Sequence, residues 1–276
     1  MYTNVSFIGA GNMGGAIIKA VCQALTGARV FVAEPNRAKG EELARNCGCQ
    51  LVADNAAAVR SAEYIFLCVK PQVLPTVLKE LAPVLNAELE QGRALCLVSI
   101  AAGVQIASIR EKLSGKSAQM PIVRIMPNMT VSVGKGMLAI TTDGIATAEN
   151  LGDVKEILSK AGRIDELGEG LMDQFTAISG CLPAYVFMLI EALADGAVIT
   201  GLPRAQAMEY AAQTIAGSAE MFLQGGGQHP GAMKDAVCSP AGSTIAGLAA
   251  LERNGFRNAA IEAIVEAYKR NIELGK

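Results

Sequence analysis

Short apolar runs alternate with helically spaced apolar positions through the first half of the chain, the mark of strand-helix units that close into a parallel sheet. Val5–Ile8, Arg29–Ala33, Tyr64–Val69, Ala94–Ile100 and Ile122–Met126 predict strands. Gly136–Thr141 predicts another, Ala148–Ala161 a helix, and Gly162-Arg163-Ile164 a last extended piece. From about Glu169 the pattern changes. No later run reads as a strand, and helical stretches are punctuated by prolines at first-turn positions (Pro183, Pro203, Pro230) and by glycines near their ends (Gly201, Gly225-Gly226-Gly227). The expectation is two domains, 1–164 built on a doubly wound, mostly parallel α/β sheet and 165–276 all helical, with no Pro/Ser-rich linker between them.

The helical half carries too little charge to be a satisfied monomer surface. Pro183–Thr200 holds only Glu191 and Asp195, and Ala205–Leu223 is mostly apolar, so a dimer or larger homo-oligomer buried through these helices is expected. The apolar stretch Ala177–Ile190 contains Pro183 and reads as a buried helix, too short for a membrane span. With 24 basic against 26 acidic residues, no Trp and few aromatics, a nucleic-acid partner is not expected. Seven cysteines lack metal-site spacing, so no metal is expected and the thiols read as buried and reduced; the start of the chain lacks a basic segment before an apolar run, and a cytoplasmic location follows.

Chemistry concentrates at a few turns. Val5–Ile8 runs into Gly9-Ala10-Gly11-Asn12-Met13-Gly14, a Gly-x-Gly-x-x-Gly that follows a strand and opens a helix, as a dinucleotide-binding turn requires. Gly9 makes the tight turn, Gly11 admits a pyrophosphate to the backbone, and Gly14 brings helix and strand together. Glu34, at the end of the second strand, stands where a carboxylate accepts from the adenosine ribose and favours NADH; Asn36 and Arg37 directly after it suit a 2′-phosphate and NADPH. Both cofactors stay open at this point. Three further strand ends, Val69-Lys70-Pro71-Gln72, Ser99–Gly103 and Met126-Pro127-Asn128, fit the ligand crevice of such a sheet, although prolines also simply end strands. In the helical half, Cys238–Thr244 opens a helix with small and hydroxylated residues, so that the Ser243 and Thr244 N–H groups can receive a carboxylate or merely begin the helix.

Acids and bases are scarce. His229 precedes Pro230 at a helix start and reads as a cap, no catalytic triad can be assembled around a single histidine, and Lys234-Asp235 and Glu191/Asp195 read as surface pairs. Met120, Met126, Met129 and Met137 are expected to fill core gaps.

Taken together, Phe7–Gly14, Val69-Lys70-Pro71, Ser99–Gly103, Met126-Pro127-Asn128, Pro183–Phe187, His229-Pro230-Gly231 with Lys234-Asp235, and Ser239–Thr244 continuing to Leu251-Glu252 make the chain resemble the pyrroline-5-carboxylate reductase family along essentially its whole length. The resemblance implies a Rossmann domain, 1–164, and an all-α dimerisation and substrate domain, 165–276, whose interlocked dimer builds the active site. It implies NAD(P)H-dependent reduction of 1-pyrroline-5-carboxylate to L-proline, with NADPH the expected cofactor and NADH an alternative. Nucleotide contacts are implied at Gly9, Ala10, Gly11, Asn12, Met13, Gly14, Asn36, Arg37, Asn55, Val69, Lys70, Pro71, Ala101 and Ala102, and substrate contacts at Ser239, Gly242, Ser243 and Thr244, the Thr244 hydroxyl facing the ring nitrogen. The chain departs from the family pattern at Cys181-Leu182, at Met129-Thr130, and at Ala241 and Ser243. Alternatives on the same plan are an imine reductase, a β-hydroxyacid dehydrogenase, weakened by the absence of Lys from Pro183–Thr200, and a nucleotide sensor without turnover.

Overall fold

The structure is a computed structural model and describes residues 4–274. Among these residues eight strands form one sheet: β1 (Val5–Ile8), β2 (Val30–Ala33), β3 (Gln50–Leu51), β4 (Tyr64–Leu67), β5 (Cys96–Ser99), β6 (Ile122–Met126), β7 (Gly136–Thr142) and β8 (Gly162–Glu166). Their spatial order is β3-β2-β1-β4-β5-β6-β7-β8. Every neighbouring pair is parallel except β6 and β7, which run antiparallel. Order reverses beside β1, so β1 and β4 flank the switch point at which an open α/β sheet opens a crevice beyond its carboxyl edge.

The helices are α1 (Asn12–Ala24), α2 (Arg37–Cys47), α3 (Asn55–Ser61), α4 (Leu74–Glu90), α5 (Ile106–Arg110), α6 (Ala148–Ile157), α7 (Met172–Phe175), α8 (Leu182–Ile199), α9 (Arg204–Gln224), α10 (Pro230–Ala236), α11 (Ser243–Arg253) and α12 (Phe256–Leu274). Local signals set several boundaries: the Asn36 side chain caps α2, Asp54 caps α3, and Thr147 with Asn150 forms a capping box on α6. Strand alternation puts Val5, Phe7 and Phe66 in one core and Ile8, Ile65 and Leu67 in the other, one core on each face of the sheet. Phe7 and Phe66 stack at 4.7 Å between ring centres.

By its internal contacts the chain divides into two compact units: residues up to Gly180 together with those from Tyr268 on, and Cys181–Ala267. Within the first, buried Arg124 on β6 pairs with Glu169 at 3.0 Å, and the same Glu169 oxygen accepts the Ile106 N–H at the start of α5, at 2.8 Å. The second unit is entirely helical.

Several expectations need correction. The strand ends are shorter than read: Arg29 belongs to a 3₁₀ turn, and Cys68-Val69, Ala94-Leu95 and Ile100 lie outside the ladders; Thr142, in contrast, extends β7. The apolar stretch around Ala177–Ile190 is neither short nor buried. Helix continues from Glu169 to Ile199 through a π-turn at Thr176–Gly180, with Pro183 in the first turn of α8, where its missing N–H is harmless. By length and composition alone that run is long and apolar enough to cross a membrane, and its most apolar window is only 22% buried within the chain. Phe187, Met188 and Ile199 stand exposed on α8, and Met221, Phe222 and Leu223 on α9. Met129 is exposed instead of filling the core, and of the seven cysteines only Cys49, Cys68 and Cys96 are buried.

Candidate active site

The glycine turn meets each of its three requirements. Gly9 has φ +90°, and a Cβ there would stand 3.1 Å from the Cys68 carbonyl oxygen. A Cβ on Gly14 would lie 2.9 Å from both Cys68 Cβ and the Gly9 carbonyl oxygen, so α1 sits directly on the turn and on the end of β4. Gly11 faces open space, leaving its backbone free to approach an anion at the start of α1, whose N-cap uses no side chain.

Beyond the carboxyl ends of β1, β4, β5 and β6 lies a cavity of about 550 Å³, walled by Gly11–Gly14, Cys68–Pro71, Ile100–Ala102, Met126-Pro127 and Lys39. An adjoining cavity of about 340 Å³ shares Gly11, Asn12 and Lys39 with it and adds Ala10 and Lys19. Small side chains at Ala101 and Ala102, and prolines at 71 and 127, leave room for a flat ligand. Cys68 closes the floor, and burial pushes its thiol above the usual range, so it stays neutral and presents no charge to a cofactor.

Of the sequence candidates, Ala10–Gly14, Val69-Lys70-Pro71 and Ala101-Ala102 line these cavities, and Gly9 forms the bend beneath them. Glu34, Asn36, Arg37 and Asn55 do not line them in the structure. Both Glu34 carboxylate oxygens are taken by backbone N–H groups, Ala10 at 2.7 Å and Asn36 at 3.0 Å, so this carboxylate braces the glycine turn. Asn36 accepts from Lys39 N, Arg37 pairs with Glu41 at 2.9 Å while 86% exposed, and Asn55 donates to Glu80. Sequence reasoning missed Lys39, a cation that lines both cavities, because nothing distinguishes it from any lysine one turn into a helix. His229 is the cap it was expected to be, its Nδ1 accepting from Gly231 N at 3.0 Å.

Ser239, Gly242, Ser243 and Thr244 belong to the other unit. Ala241 has φ 58°, the one non-glycine residue with positive φ among the described residues, so Ala stands at a position suited to Gly. A Cβ on Gly242 would lie 2.3 Å from Ser239 Oγ and 3.1 Å from the Ser239 carbonyl oxygen, so any larger residue would have to displace the Ser239 side chain. Gly242 then serves as N-cap of α11 with no side-chain cap, leaving the first N–H groups of the helix without a capping acceptor.

Comparison with known proteins completes the picture. Residues 4–103 match the family described as coenzyme F420-dependent NADP oxidoreductase, and residues 169–274 match the pyrroline-5-carboxylate reductase dimerisation family. Along its whole length the chain is 41% identical to the full length of pyrroline-5-carboxylate reductase from Synechocystis sp. and 38% identical to the full length of that from Escherichia coli. The chain belongs to the pyrroline-5-carboxylate reductase family. A solved structure of Plasmodium falciparum pyrroline carboxylate reductase with NADP bound is similar with a TM-score of 0.85 and 30% identity, covering 99% of this chain and 98% of that one. The Rossmann-type sheet, the oxidoreductase class and the NADP-type cofactor expected from the sequence thus hold, and the exposed apolar helices fall within a dimerisation region of the pyrroline-5-carboxylate reductase family.

Proposed function

We propose that this chain reduces 1-pyrroline-5-carboxylate to L-proline at the expense of NADPH, with NADH as a second donor, and so performs the last step of proline synthesis. Identity to pyrroline-5-carboxylate reductases across the entire chain carries this reading. The open face of Gly11 and the uncapped start of α11 support it as two anion-receiving backbone sites, one for a pyrophosphate and one for a carboxylate.

When bound, the reduced nicotinamide supplies the hydride. The chain's residues have the simpler tasks of holding and orienting. The N–H groups of Gly11–Gly14 and α1 take the pyrophosphate, Val69-Lys70-Pro71 and Ala101-Ala102 flank the nicotinamide half, and Asn36, Arg37 and Asn55 serve the adenosine half, joined by Lys39. Ser239, Gly242 and Ser243 hold the substrate carboxylate, and the Thr244 hydroxyl faces the ring nitrogen. A cyclic imine protonates readily, so orientation and one polar group at nitrogen suffice without a dedicated acid or base. Residues 1–164 then act as the nucleotide domain and 165–276 as the substrate and dimerisation domain.

Thr244→Ala tests the assignment. Turnover is expected to fall on the order of 10²-fold while NADPH affinity stays nearly unchanged; unaltered kinetics would remove Thr244 from the mechanism.

The exposed apolar residues of α8 and α9 support a homodimer, or a larger homo-oligomer, formed through the C-terminal helices. Seven free thiols support a cytoplasmic location.

A further inference from the structure

One carboxamide braces three pieces of chain behind the wall of the nucleotide cavity. Asn128 follows directly on Met126-Pro127, which line that cavity, and the residue is 8% exposed. Its Oδ1 accepts from Thr130 Oγ1 at 2.7 Å and from Met137 N at 3.2 Å, and its Nδ2 donates to the Ser179 carbonyl at 3.1 Å. Ser179 returns the link by donating its hydroxyl to the Met137 carbonyl at 3.2 Å. The end of β6, the start of β7 and the π-turn Thr176–Gly180 are thereby fixed to one another. The π-turn also packs on the wall itself, since a Cβ on Gly180 would stand 3.5 Å from the Met126 methyl. Wide turns of this kind are rare and occur frequently at functional sites.

We propose that Asn128 is a positioning residue for hydride transfer: it holds Met126-Pro127 against the π-turn and so sets the pose of the nicotinamide without touching either reactant. This rests on the nucleotide-cavity reading above. The carboxamide is suited to the task because it offers an acceptor toward Met137 N and Thr130 and a donor toward Ser179 at once, and its burial denies water the chance to substitute.

An Asn128→Asp variant separates positioning from folding. Ionised, the new carboxylate keeps both acceptor contacts but turns an oxygen toward the Ser179 carbonyl; protonated, it donates as Asn does. At about pH 8 the variant is expected to lose ~10- to 100-fold in kcat, with KM for both substrates little changed. The ratio of variant to wild-type kcat should recover as pH falls toward the carboxyl's titration range. Asn128→Ala should lose kcat with no such recovery. Thr130→Val, a milder change, provides a measurement should the position 128 variants unfold: with NADPH deuterated at the transferred position, its isotope effect on kcat should exceed that of wild type. A pH-independent ratio for Asn128→Asp, a loss confined to NADPH binding, or a wild-type isotope effect in Thr130→Val overturns the inference. If the wild-type chain reduces no pyrroline-5-carboxylate with either nicotinamide, the functional reading fails instead, and the two failures are distinguishable.

Discussion

Removing Glu169 should cost more than removing its partner Arg124. Arg124 is 4% exposed, and its guanidinium is paired with a Glu169 oxygen at 3.0 Å. That oxygen also accepts the Ile106 N–H, the first donor of α5. Glu169→Ala therefore strands a buried guanidinium and an orphaned backbone donor together. Breaking one side of a buried pair costs about 3–5 kcal/mol, but Glu169 is partly exposed and its removal admits water, so about 3 kcal/mol is expected once the lost N–H bond is included. At about 2–4 °C per kcal/mol, the melting temperature should drop by roughly 6–12 °C. Arg124→Met leaves a carboxylate that solvent can reach, and should cost about 1 kcal/mol. The double variant should lie between Arg124→Met and Glu169→Ala, because it no longer strands the guanidinium but still orphans the Ile106 N–H. The assay is thermal and urea unfolding of all four proteins. A Glu169→Ala melt within 2 °C of wild type, taken as roughly 0.5–1 kcal/mol, or a double variant as unstable as Glu169→Ala, would refute the stranded-charge reasoning.

Other outcomes can be checked independently. Lys39→Ala should raise KM for NADPH more than KM for NADH, and more than Arg37→Ala does, because Lys39 lines the cavities while Arg37 is engaged with Glu41; steady-state kinetics with both cofactors decides. Ala241→Gly should stabilise by about 0.5–1 kcal/mol, the relief of positive φ less the extra freedom of glycine in the unfolded chain, read from urea midpoints. Burial pushes the Cys96 thiol up from 9.0 to about 12, with Asp153 adding to the rise. Between those values the unfolded chain loses this proton and the folded one keeps it, so stability should fall from pH 9 toward 12, by up to about 1.4 kcal/mol per pH unit for this group. Cys96→Ala should flatten that alkaline slope, and an unchanged slope would remove Cys96 from it.

The sheet was largely legible because its strands are buried on both faces and read as unbroken apolar runs; Val5–Ile8 and Ile122–Met126 match to the residue. β3 was not, since two residues, Gln50-Leu51, are too short to show any periodicity. The glycine turn was legible in full because steric need and residue type coincide there. Glu34 was not: sequence places a carboxylate beside the ribose position, but only coordinates reveal that Ala10 and Asn36 claim both its oxygens. The long helix ending at Ile199 was hidden by Pro183, a residue that begins helices as readily as it ends them. Ala241 was legible only as a departure from the family pattern, and the backbone supplied its positive φ.

The first compact unit is finished by the far end of the chain: residues from Tyr268 on group with it, and Asn271 donates to the Asp173 carbonyl at 3.2 Å. A nascent polypeptide leaving the ribosome thus exposes every strand of the sheet well before the segment that seals this unit has been made. Completion of this unit follows synthesis of α12, and a chain cut after Ala267 would lack the Asn271 bond to the Asp173 carbonyl.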